Sequence, residues 1–334
     1  MEPLRIGILG AARITELALI TPAKATGARL VAVAARDRGR AERFAATHGV
    51  ERVVDSYYDL LADGEVEAIY NPLANSLHGP WNKRALLAGK HVLSEKPSAG
   101  NGPEAAELEA IADGVDRVFM EGFHYRYHPM IRRAHAVVAG GEIGELRRVE
   151  SRMDTPAPAD DDPRWSFALA GGALMDLGCY SLHSFRILAA LCGGEPELVS
   201  ATATERDGAT GVDERLTAEL RFPNGVTGTA GCDMAYGEMN FSHRLVGTAG
   251  EVMLPNYVKP HLDDRLLVTT ADGTRTEHTG ERSSYTYQLE AFAAAVRGGP
   301  PVLTDAADAT ATMRLIDACY RAAGLPPRPT TPLD

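Results

Sequence analysis

Short apolar runs alternate with longer amphipathic segments through the first third of the chain. The runs have the length of buried strands, and the segments between them have the spacing of helices. Such alternation predicts an α/β fold built on a doubly wound parallel sheet. The predicted strands are Leu4–Leu9, Leu30–Ala34, Ala68–Leu73, His91–Ser94 and Arg117–Glu121.

Glycine follows three of the predicted helices between these strands. Because glycine reaches the left-handed backbone conformation that commonly ends a helix, each of these glycines predicts a helix end. The three helices, each with its glycine, are Arg38–His48 before Gly49, Pro80–Ala88 before Gly89, and Pro103–Asp113 before Gly114.

From about residue 124 the pattern changes to helices and paired strands. Two pairs of strand-like runs flank short turns at residues 223–225 and 271–274, which are typical of β-hairpins. We therefore predict two domains, residues 1–123 and 124–334. The elements predicted in the second are His128–Ala139 (helix), Glu145–Met153 (strand), Ala173–Leu191 (helix), the strands Leu216–Phe222, Val226–Cys232, Leu266–Thr270 and Arg275–Thr279, and the helices Tyr285–Arg297 and Asp305–Ala323.

The composition argues against several classes of partner. The net charge of the 334 residues is −11 without a basic cluster, which disfavours nucleic acid and anionic membranes. No apolar run approaches the ~20 residues of a membrane span, and no charged-then-apolar leader begins the chain. We therefore expect a soluble, cytoplasmic protein. The four cysteines and ten histidines lack ligand spacing, so we expect free, mostly buried thiols and no metal.

A glycine turn follows the first predicted strand. Gly10 occupies the first position of a G-x-G-x-x-G pattern, with Ala12 and Thr15 at the other two glycine positions. Such a turn lets backbone N–H groups and a helix N-terminus approach a pyrophosphate. The match is imperfect, and an ordinary tight turn is the alternative, but the flanking strand and helix pattern favours a dinucleotide site.

The end of the second predicted strand indicates which dinucleotide is preferred. Folds that prefer NAD usually place an acidic residue there to bind the ribose 2′-hydroxyl. Ala35 stands at this position and Arg36 follows it, so a 2′-phosphate meets a guanidinium instead of a carboxylate. We therefore predict NADP rather than NAD. A one-residue shift would make Asp37 the ribose acid, but Asp37 also fits the N-cap of the next helix, which we prefer.

Lys96 stands at the carboxyl end of the strand His91–Ser94, between Glu95 and Pro97. Ligands of open α/β sheets bind at this end of the strands, so Lys96 is a candidate proton-transfer or electrostatic group. A solvated surface lysine is the alternative. The chain has only five lysines among its 34 basic residues, which favours a role that requires an amine with a movable pKa.

Three titratable side chains share one face of the helix predicted after Gly171-Gly172. Asp176, Tyr180 and His183 have the spacing i, i+4 and i+7 on an otherwise mostly apolar segment. Burying three polar groups on one stripe is costly unless they meet partners or a solvated cleft. The stripe is therefore either a hydrogen-bonded structural trio or part of a site.

Several motifs resemble the Gfo/Idh/MocA oxidoreductases, which include glucose–fructose oxidoreductase and inositol dehydrogenase. The most specific is the glutamate–lysine–proline motif in ALLAGKHVLSEKP at residues 85–97. Other similar motifs are NPLANSLH at 71–78, MEGFHYRYHP at 120–129, GGALMDLGCY at 171–180 and YQLEAF at 287–292, so the resemblance covers nearly the whole chain. Many relatives have histidine where Tyr180 stands. With tyrosine at this position, the motif resembles that of the branch that contains glucose–fructose oxidoreductase and dimeric dihydrodiol dehydrogenase.

The resemblance implies an N-terminal Rossmann domain, a C-terminal α+β domain with a large open, mainly antiparallel sheet, a nicotinamide cofactor, and a catalytic Lys96 before a cis Pro97. Open sheet faces usually become subunit interfaces, so we expect a homodimer or homotetramer. The expected cofactor contacts are Gly10, Ala12, Arg13, Ile14, Arg36, Pro72, Leu73, Asn75, His78, Glu95, Lys96, Pro97 and Trp165, and the expected substrate contacts are Lys96, Phe123, Arg126, Asp176 and Tyr180.

These observations predict an NADP-dependent oxidoreductase that acts on a carbinol or carbonyl carbon of a sugar or cyclic polyol. Tyr180 would exchange the proton, the Lys96 ammonium would lower the pKa of its phenol, and Asp176 and His183 would orient or relay. Aldose dehydrogenase, trans-dihydrodiol dehydrogenase and ketosugar reductase activities stay open, as do the direction and the immediate proton carrier. The alternatives from other classes are a non-catalytic NADP-binding regulator and a Schiff base on Lys96.

Overall fold

The computed structural model describes residues 2–332, which divide into two compact units. The first unit contains a parallel sheet, and the second contains a mainly antiparallel sheet. Along the chain the first unit comprises the residues up to 124, residues 285–313 and the residues from 330, and the second comprises residues 125–284 and 314–329.

Residues 285–313 lie in the first unit, whereas the sequence-based division assigned them to the second. Packing explains the difference. Ala306 and Ala309 belong to the hydrophobic core beside the parallel sheet. The Thr304 hydroxyl donates to the Glu121 carbonyl at 2.7 Å, and the Glu121 N–H donates to the Thr304 carbonyl at 2.8 Å. The chain thus returns to complete the edge of the first sheet.

Six parallel strands form the first sheet, in the order β3-β2-β1-β4-β5-β6. Because the order reverses between β1 and β4, a topological switch point lies at their carboxyl ends. The predicted doubly wound sheet is confirmed, and β3 is a short addition. The strands are β1 (Arg5–Leu9), β2 (Arg29–Ala34), β3 (Arg52–Val53), β4 (Ala68–Asn71), β5 (His91–Ser94) and β6 (Phe119–Glu121).

The second sheet has eight strands in the order β14-β13-β12-β11-β7-β10-β9-β8. All neighbours are antiparallel except β7 and β10, which are parallel. The expected mainly antiparallel sheet is confirmed. Its strands are β7 (Leu146–Asp154), β8 (Glu197–Glu205), β9 (Asp213–Arg221), β10 (Thr227–Asp233), β11 (His243–Gly247), β12 (Gly250–Leu254), β13 (Arg265–Thr270) and β14 (Gly273–His278).

The predicted helices are observed in order, two of them differ in extent, and the short helix Tyr57–Ala62 was not predicted. None of those described is long and apolar enough to cross a membrane. A π-helical turn, Glu16–Ile20, precedes α1, and another, Leu174–Gly178, precedes α7. The helices are α1 (Thr21–Thr26), α2 (Arg38–His48), α3 (Tyr57–Ala62), α4 (Asn75–Leu87), α5 (Gly102–Asp113), α6 (Pro129–Ala139), α7 (Cys179–Arg186), α8 (Ala189–Cys192), α9 (Ser284–Val296) and α10 (Ala306–Ala322).

The first difference is that α4 begins at Asn75, five residues before the predicted start at Pro80. Proline is favoured at the first position of a helix and removes one backbone hydrogen bond in its interior, so Pro80 predicts a helix start. The turn before it is nevertheless helical, because Ser76 and His78 are buried against the unit. Burial therefore outweighs the lost bond.

The second difference is that the predicted helix Ala173–Leu191 is interrupted. A π-helical turn leads into α7, and α8 follows after a break at residues 187–188. Gly178 ends the π-helical turn, and a side chain there would lie 2.7 Å from the Cys232 sulfur on β10. The glycine thus lets the segment approach the sheet closely.

One face of the second sheet is covered by α7. On β7, Ser151 is buried and receives a hydrogen bond from the Ser184 hydroxyl at 2.8 Å. Its neighbour Glu150 points to the opposite face, where Arg244 contacts both Glu150 and Glu251. That face is polar and partly exposed, so the sheet is open as expected.

Candidate active site

The glycine turn after β1 has the geometry of a dinucleotide loop. Gly10 has φ 85°, and its N–H donates to the Ala34 carbonyl at 2.6 Å. A side chain there would approach Leu73 Cδ2 to 3.0 Å, so only glycine leaves the surface open. The Thr15 hydroxyl is buried without a hydrogen-bond partner in the described chain. An unpaired donor beside a glycine turn fits a phosphate-bearing ligand.

The residues after β2 carry positive charge towards the same region. The Asp37 carboxylate accepts the Arg40 N–H at 2.9 Å, which confirms Asp37 as the N-cap of α2. The Arg40 guanidinium donates to the Ala11 carbonyl at 2.7 Å in the glycine turn. Burial raises the pKa of Tyr57, and the nearby charges of Arg36 and Arg40 oppose that rise. Two guanidinium groups thus lie near the Tyr57 phenol, beside the glycine turn.

Arg40 and Tyr57 were not among the predicted site residues. Arg40 lies in the first turn of α2, shortly after the end of β2, and this position in the sequence could have indicated a cofactor contact. Tyr57 begins α3, a helix that the sequence pattern did not predict. Of the other predicted cofactor residues in the turn, Ala12 and Ile14 are half-buried and Arg13 is exposed.

His78 joins the loops that follow β4 and β5. Its ring nitrogens lie 2.7 Å from the Pro97 carbonyl oxygen and 2.8 Å from that of Leu73. The side chain is 1% exposed, and burial lowers its pKa to about 4 although the two carbonyls oppose that shift. Both ring nitrogens are thus engaged by backbone carbonyls, so His78 fixes the loop that carries Lys96. Its expected contact with the cofactor stays a prediction.

The strand ends beside Lys96 are held by a buried polar network. Asn71 donates to the Asn82 side-chain oxygen at 2.8 Å, and Asn82 donates to the Ser94 hydroxyl at 2.8 Å. The Tyr70 hydroxyl donates to the Glu95 carboxylate at 2.9 Å. Glu95 is thus buried in the loop, whereas Lys96 is half-exposed and the Lys96–Pro97 bond is cis, as the resemblance implied.

Three other predicted contacts follow β4. Pro72 is buried, whereas Leu73 and Asn75 are half-exposed. Leu73 lies against the glycine turn through its contact at Gly10. Leu73 is therefore the predicted contact after β4 that borders the turn.

In the second unit, Tyr180 lies in an aromatic cluster with Tyr125 and His183. Tyr180 is 5% exposed, and its ring centroid lies 5.9 Å from that of Tyr125. The Tyr125 hydroxyl and His183 Nδ1 are 2.6 Å apart, within hydrogen-bonding distance. The structure therefore brings together two members of the predicted stripe and adds Tyr125, which the sequence analysis had not assigned a role.

Asp176 has a different environment from Tyr180 and His183. Its carboxylate lies 3.6 Å from the Arg164 guanidinium, which also binds Asp162 at 3.0 Å. Asp176 belongs to the π-helical turn, whose wider winding changes its position relative to an ideal α-helical stripe. Arg164 is a partner that the sequence pattern alone did not indicate.

The loop after β7 holds Trp165 inside the second unit. Its side chain is buried, and the Arg206 guanidinium lies 4.6 Å from the centre of its ring. The indole N–H points to the Pro158 carbonyl at 3.5 Å. Trp165 therefore supports the loop, and its expected contact with the cofactor stays a prediction.

Phe123 and Arg126, predicted to bind substrate, differ in exposure. Phe123 is 0% exposed, so its ring packs in the core, and its expected contact with the substrate stays a prediction. The cause of this burial is its place directly after β6, on the buried side of the chain. Arg126 is half-exposed. Burial is the main cause that lowers the pKa of His135, and the charge of Arg126 adds a smaller effect in the same direction.

A buried ion pair anchors the segment that carries Tyr180. Asp213 accepts the Leu174 N–H at 2.7 Å at the start of the π-helical turn and the Tyr320 hydroxyl at 2.9 Å. The fully buried Arg328 guanidinium binds Asp213 at 2.5 Å and the Gly171 carbonyl at 2.6 Å. Burial raises the pKa of Asp213 to about 6, against the effect of Arg328. The carboxylate is thus charged at neutral pH.

Gly172 is explained by this ion pair, whereas Gly171 lies against the Arg164 carbonyl. A side chain at position 172 would overlap the Asp213 carboxylate and the Arg328 guanidinium, and Gly172 has φ 128°.

All four cysteines are buried and free, as expected. In the part of the chain that the structure describes, no group of three or more His, Cys, Asp or Glu residues is placed to hold a metal ion.

Known families match both halves of this architecture. Residues 4–123 match the oxidoreductase family with an NAD-binding Rossmann fold, and residues 131–253 match the GFO/IDH/MocA C-terminal domain. A D-xylose 1-dehydrogenase (NADP(+)) from Haloferax volcanii is 35% identical over 95% of this chain and 96% of its own. The chain belongs to the Gfo/Idh/MocA family of oxidoreductases. The resemblance inferred from the motifs is confirmed.

Two further relatives are reductases by name. A dTDP-3,4-didehydro-2,6-dideoxy-alpha-D-glucose 3-reductase from Streptomyces violaceoruber is 34% identical over 97% of both chains. The crystal structure of KijD10, a 3-ketoreductase from Actinomadura kijaniata in complex with NADP and TDP-benzene, aligns with a TM-score of 0.88 and 29% identity, covering 96% of this chain and 98% of that one. Both likenesses span the whole architecture.

Proposed function

We propose that this protein is an NADP-dependent oxidoreductase that acts on a carbinol or carbonyl carbon of a sugar or cyclic polyol. The observation that carries the proposal is the cluster of Tyr180, Tyr125 and His183, because it places a nearly buried phenol beside a hydrogen-bonded tyrosine–histidine pair. The NADP dependence of the xylose dehydrogenase and the NADP in the KijD10 complex support the cofactor.

In this proposal the protein orients the reactants and moves one proton. Bound NADP supplies or accepts the hydride. Tyr180 takes the proton of the substrate hydroxyl during oxidation and returns it during reduction. Lys96 binds the substrate oxygen and favours the phenolate form of Tyr180. His183 holds Tyr125 in place, and Asp176 with Arg164 orients the turn that leads to Tyr180.

Two arginines support the choice of NADP over NAD in this chain. Arg36 and Arg40 both act on the Tyr57 phenol, beside the glycine turn, and Asp37 is engaged as a helix cap. A carboxylate engaged in capping α2 is a poor ligand for a ribose hydroxyl. Guanidinium groups pair well with a phosphate.

The test is a spectrophotometric screen with NADP⁺ and NADPH against aldoses, inositols, dihydrodiols and ketosugars. With the best substrate, we expect Tyr180→Phe and Lys96→Met each to lower kcat about 100-fold or more, the usual range for a proton-transfer group. NADPH binding, measured by fluorescence, should stay within a few-fold of the unchanged protein. Full turnover in both variants would exclude these roles.

Matched controls separate chemistry from general damage. Tyr236→Phe removes a hydroxyl from a half-exposed tyrosine, and Lys24→Met removes an exposed ammonium on α1. Both should leave kcat unchanged. Tight NADPH binding without turnover of any compound would favour the regulator, and an adduct trapped by borohydride on Lys96 would favour a Schiff base.

A ketosugar reductase is the second candidate. The relatives that reduce or bind dTDP-linked compounds favour it over a dihydrodiol dehydrogenase. The same screen distinguishes the two, because only a ketosugar would oxidise NADPH. A cytoplasmic location and a homodimer or homotetramer through the open sheet face stay predictions, the latter to be tested by light scattering.

A further inference from the structure

Lys259 is a half-buried lysine whose ammonium has no carboxylate partner among the described residues. Its Nζ lies 5.2 Å from the ring centre of Phe241, a cation–π contact. Burial lowers its pKa, and no neighbouring charge opposes that shift. A cation removed from water without a counter-charge costs free energy that the aromatic contact offsets only in part. Such a group is suited to receive a negative charge from outside the chain.

The nearby acidic residues are engaged elsewhere. Asp263 pairs with Arg265 at 2.6 Å. Asp264 binds His278 at 2.7 Å and accepts the Gly280 N–H at 2.9 Å. Neither carboxylate is therefore available to neutralise Lys259, although both lie within five residues of it.

The loop that carries Lys259 is ordered by its own hydrogen bonds. The Tyr257 N–H donates to the Phe241 carbonyl at 3.0 Å, and the Lys259 N–H donates to the Asn256 side chain at 2.8 Å. His261 follows two residues later. Its buried Nδ1 has no hydrogen-bond partner within residues 2–332, and the charge of Lys259 adds to burial in lowering its pKa. The Lys259 charge and the unpaired His261 nitrogen thus belong to one hydrogen-bonded loop.

This loop lies at the end of the sheet where the Tyr180 segment starts. It follows β12, and Leu254 at the end of that strand pairs with His243. His243 pairs in turn with Ser151, near the carboxyl end of β7. The Tyr257 ring packs edge-on against Tyr125 with centroids 5.1 Å apart, and Tyr125 contacts Tyr180. Lys259 is therefore linked to the candidate catalytic cluster through two aromatic contacts.

We propose that Lys259, assisted by His261, binds a phosphoryl group of the sugar substrate at a position remote from the reacting carbon. Lysine provides a compact charge that suits a phosphate oxygen, and the unpaired His261 nitrogen supplies a second polar contact. The inference deepens the proposed function and rests on it: the substrate is a phosphorylated sugar or a nucleoside diphosphate sugar, and not a free aldose.

Calorimetric titration of the NADP⁺-loaded protein tests the site without requiring turnover. The three ligands are D-glucose, D-glucose 1-phosphate and dTDP-glucose. We expect both phosphorylated compounds to bind at least about tenfold more tightly than D-glucose, because a charge-assisted contact is added. A preference for dTDP-glucose over the monophosphate identifies the nucleotide-linked source, and the reverse order identifies the monophosphate.

Lys259→Met should weaken both phosphorylated ligands about tenfold or more and leave D-glucose within about threefold. Lys259→Arg keeps the charge and should retain most of the affinity, and Lys24→Met should change nothing. Equal binding of all three ligands by the unchanged protein overturns the proposal. So does an equal loss of all three in Lys259→Met, or a change of oligomeric state with affinity preserved.

The two proposals fail in different ways. If no sugar is oxidised or reduced while the phosphorylated ligands still bind through Lys259, the proposed redox function is wrong and the phosphoryl site stands. If a free aldose is turned over efficiently and Lys259→Met leaves its KM and kcat unchanged without any phosphate preference, the site is wrong and the function stands.

Discussion

At the scale of single residues, Asp37 decides how the end of β2 is interpreted. The same carboxylate could bind a ribose hydroxyl or cap α2, and its contact with the Arg40 N–H assigns it to the cap. That assignment leaves Arg36 and Arg40 as the charged groups beside the glycine turn. The preference for NADP therefore rests on two guanidinium groups and on a carboxylate that is engaged as the cap of α2.

Replacing Arg36 or Arg40 by alanine should raise the KM for NADP⁺ about 10- to 100-fold, the range of one lost charge-assisted contact. The KM for NAD⁺ should change little, because NAD⁺ lacks the 2′-phosphate. Initial rates with both cofactors check this. Arg38→Ala is the matched control, since Arg38 pairs with Glu42 and Asp55 on the exposed side. An equal loss with both cofactors would show a structural effect instead.

At the scale of elements, the segment from Gly171 to α7 shows what the sequence could and could not indicate. Its polar stripe was visible because Asp176, Tyr180 and His183 recur at helical spacing. The π-helical turn was not, because it depends on how closely Gly178 approaches β10. Nor was the ion pair that anchors it, since Arg328 and Asp213 are 115 residues apart in the chain.

The strands show the same limit. The predicted hairpin around residues 223–225 was found because its strands alternate apolar and polar positions around a turn. β8 was missed because nearly all of it is exposed and only Ala201 is buried. β3 was missed because it has two residues. Local pattern thus predicts strands beside a clear turn signal, and it also missed β11 and β12, which bury a face but are defined by long-range pairing.

Breaking the buried ion pair should destabilise the second unit. Arg328→Met leaves the Asp213 carboxylate buried without its cation, which costs about 3–5 kcal/mol in comparable pairs. We expect a lower midpoint in chemical denaturation and, in the folded fraction, a lower kcat, because Asp213 also receives the Leu174 N–H.

Arg314→Met, on the exposed side of α10, is the control and should unfold like the unchanged protein. Asp213→Leu combined with Arg328→Met should cost less than the sum of the single changes, because no charge is then left unpaired. A fully additive double variant would contradict the pairing.

At the scale of the whole molecule, several histidines are buried as neutral rings. Burial lowers the pKa of His243 to about 3 and that of His135 to about 4. The charge of His135 adds to the first shift, and the charge of Arg126 adds to the second. Both His243 nitrogens lack a hydrogen-bond partner in the chain as described. Since the unfolded chain binds these protons near pH 6.5, acid favours unfolding.

His243→Leu should therefore flatten the acid side of the stability profile. The native pKa is depressed, so the unfolded state binds the extra proton between about pH 6.5 and the native value near 3. In that window His243 removes about 1.4 kcal/mol of unfolding free energy per pH unit, and above it the effect vanishes. Urea titrations at pH 7.5, 6 and 5 measure the difference. Parallel profiles for the two proteins would contradict it.

The return of residues 285–313 to the first unit has a consequence for engineering. The two units alternate along the chain, so the first unit cannot be cut out as one N-terminal piece. A fragment ending at residue 124 would lack the Thr304 contacts that close the edge at Glu121. An exchange of the second unit must likewise carry residues 314–329 together with residues 125–284, because both segments belong to it.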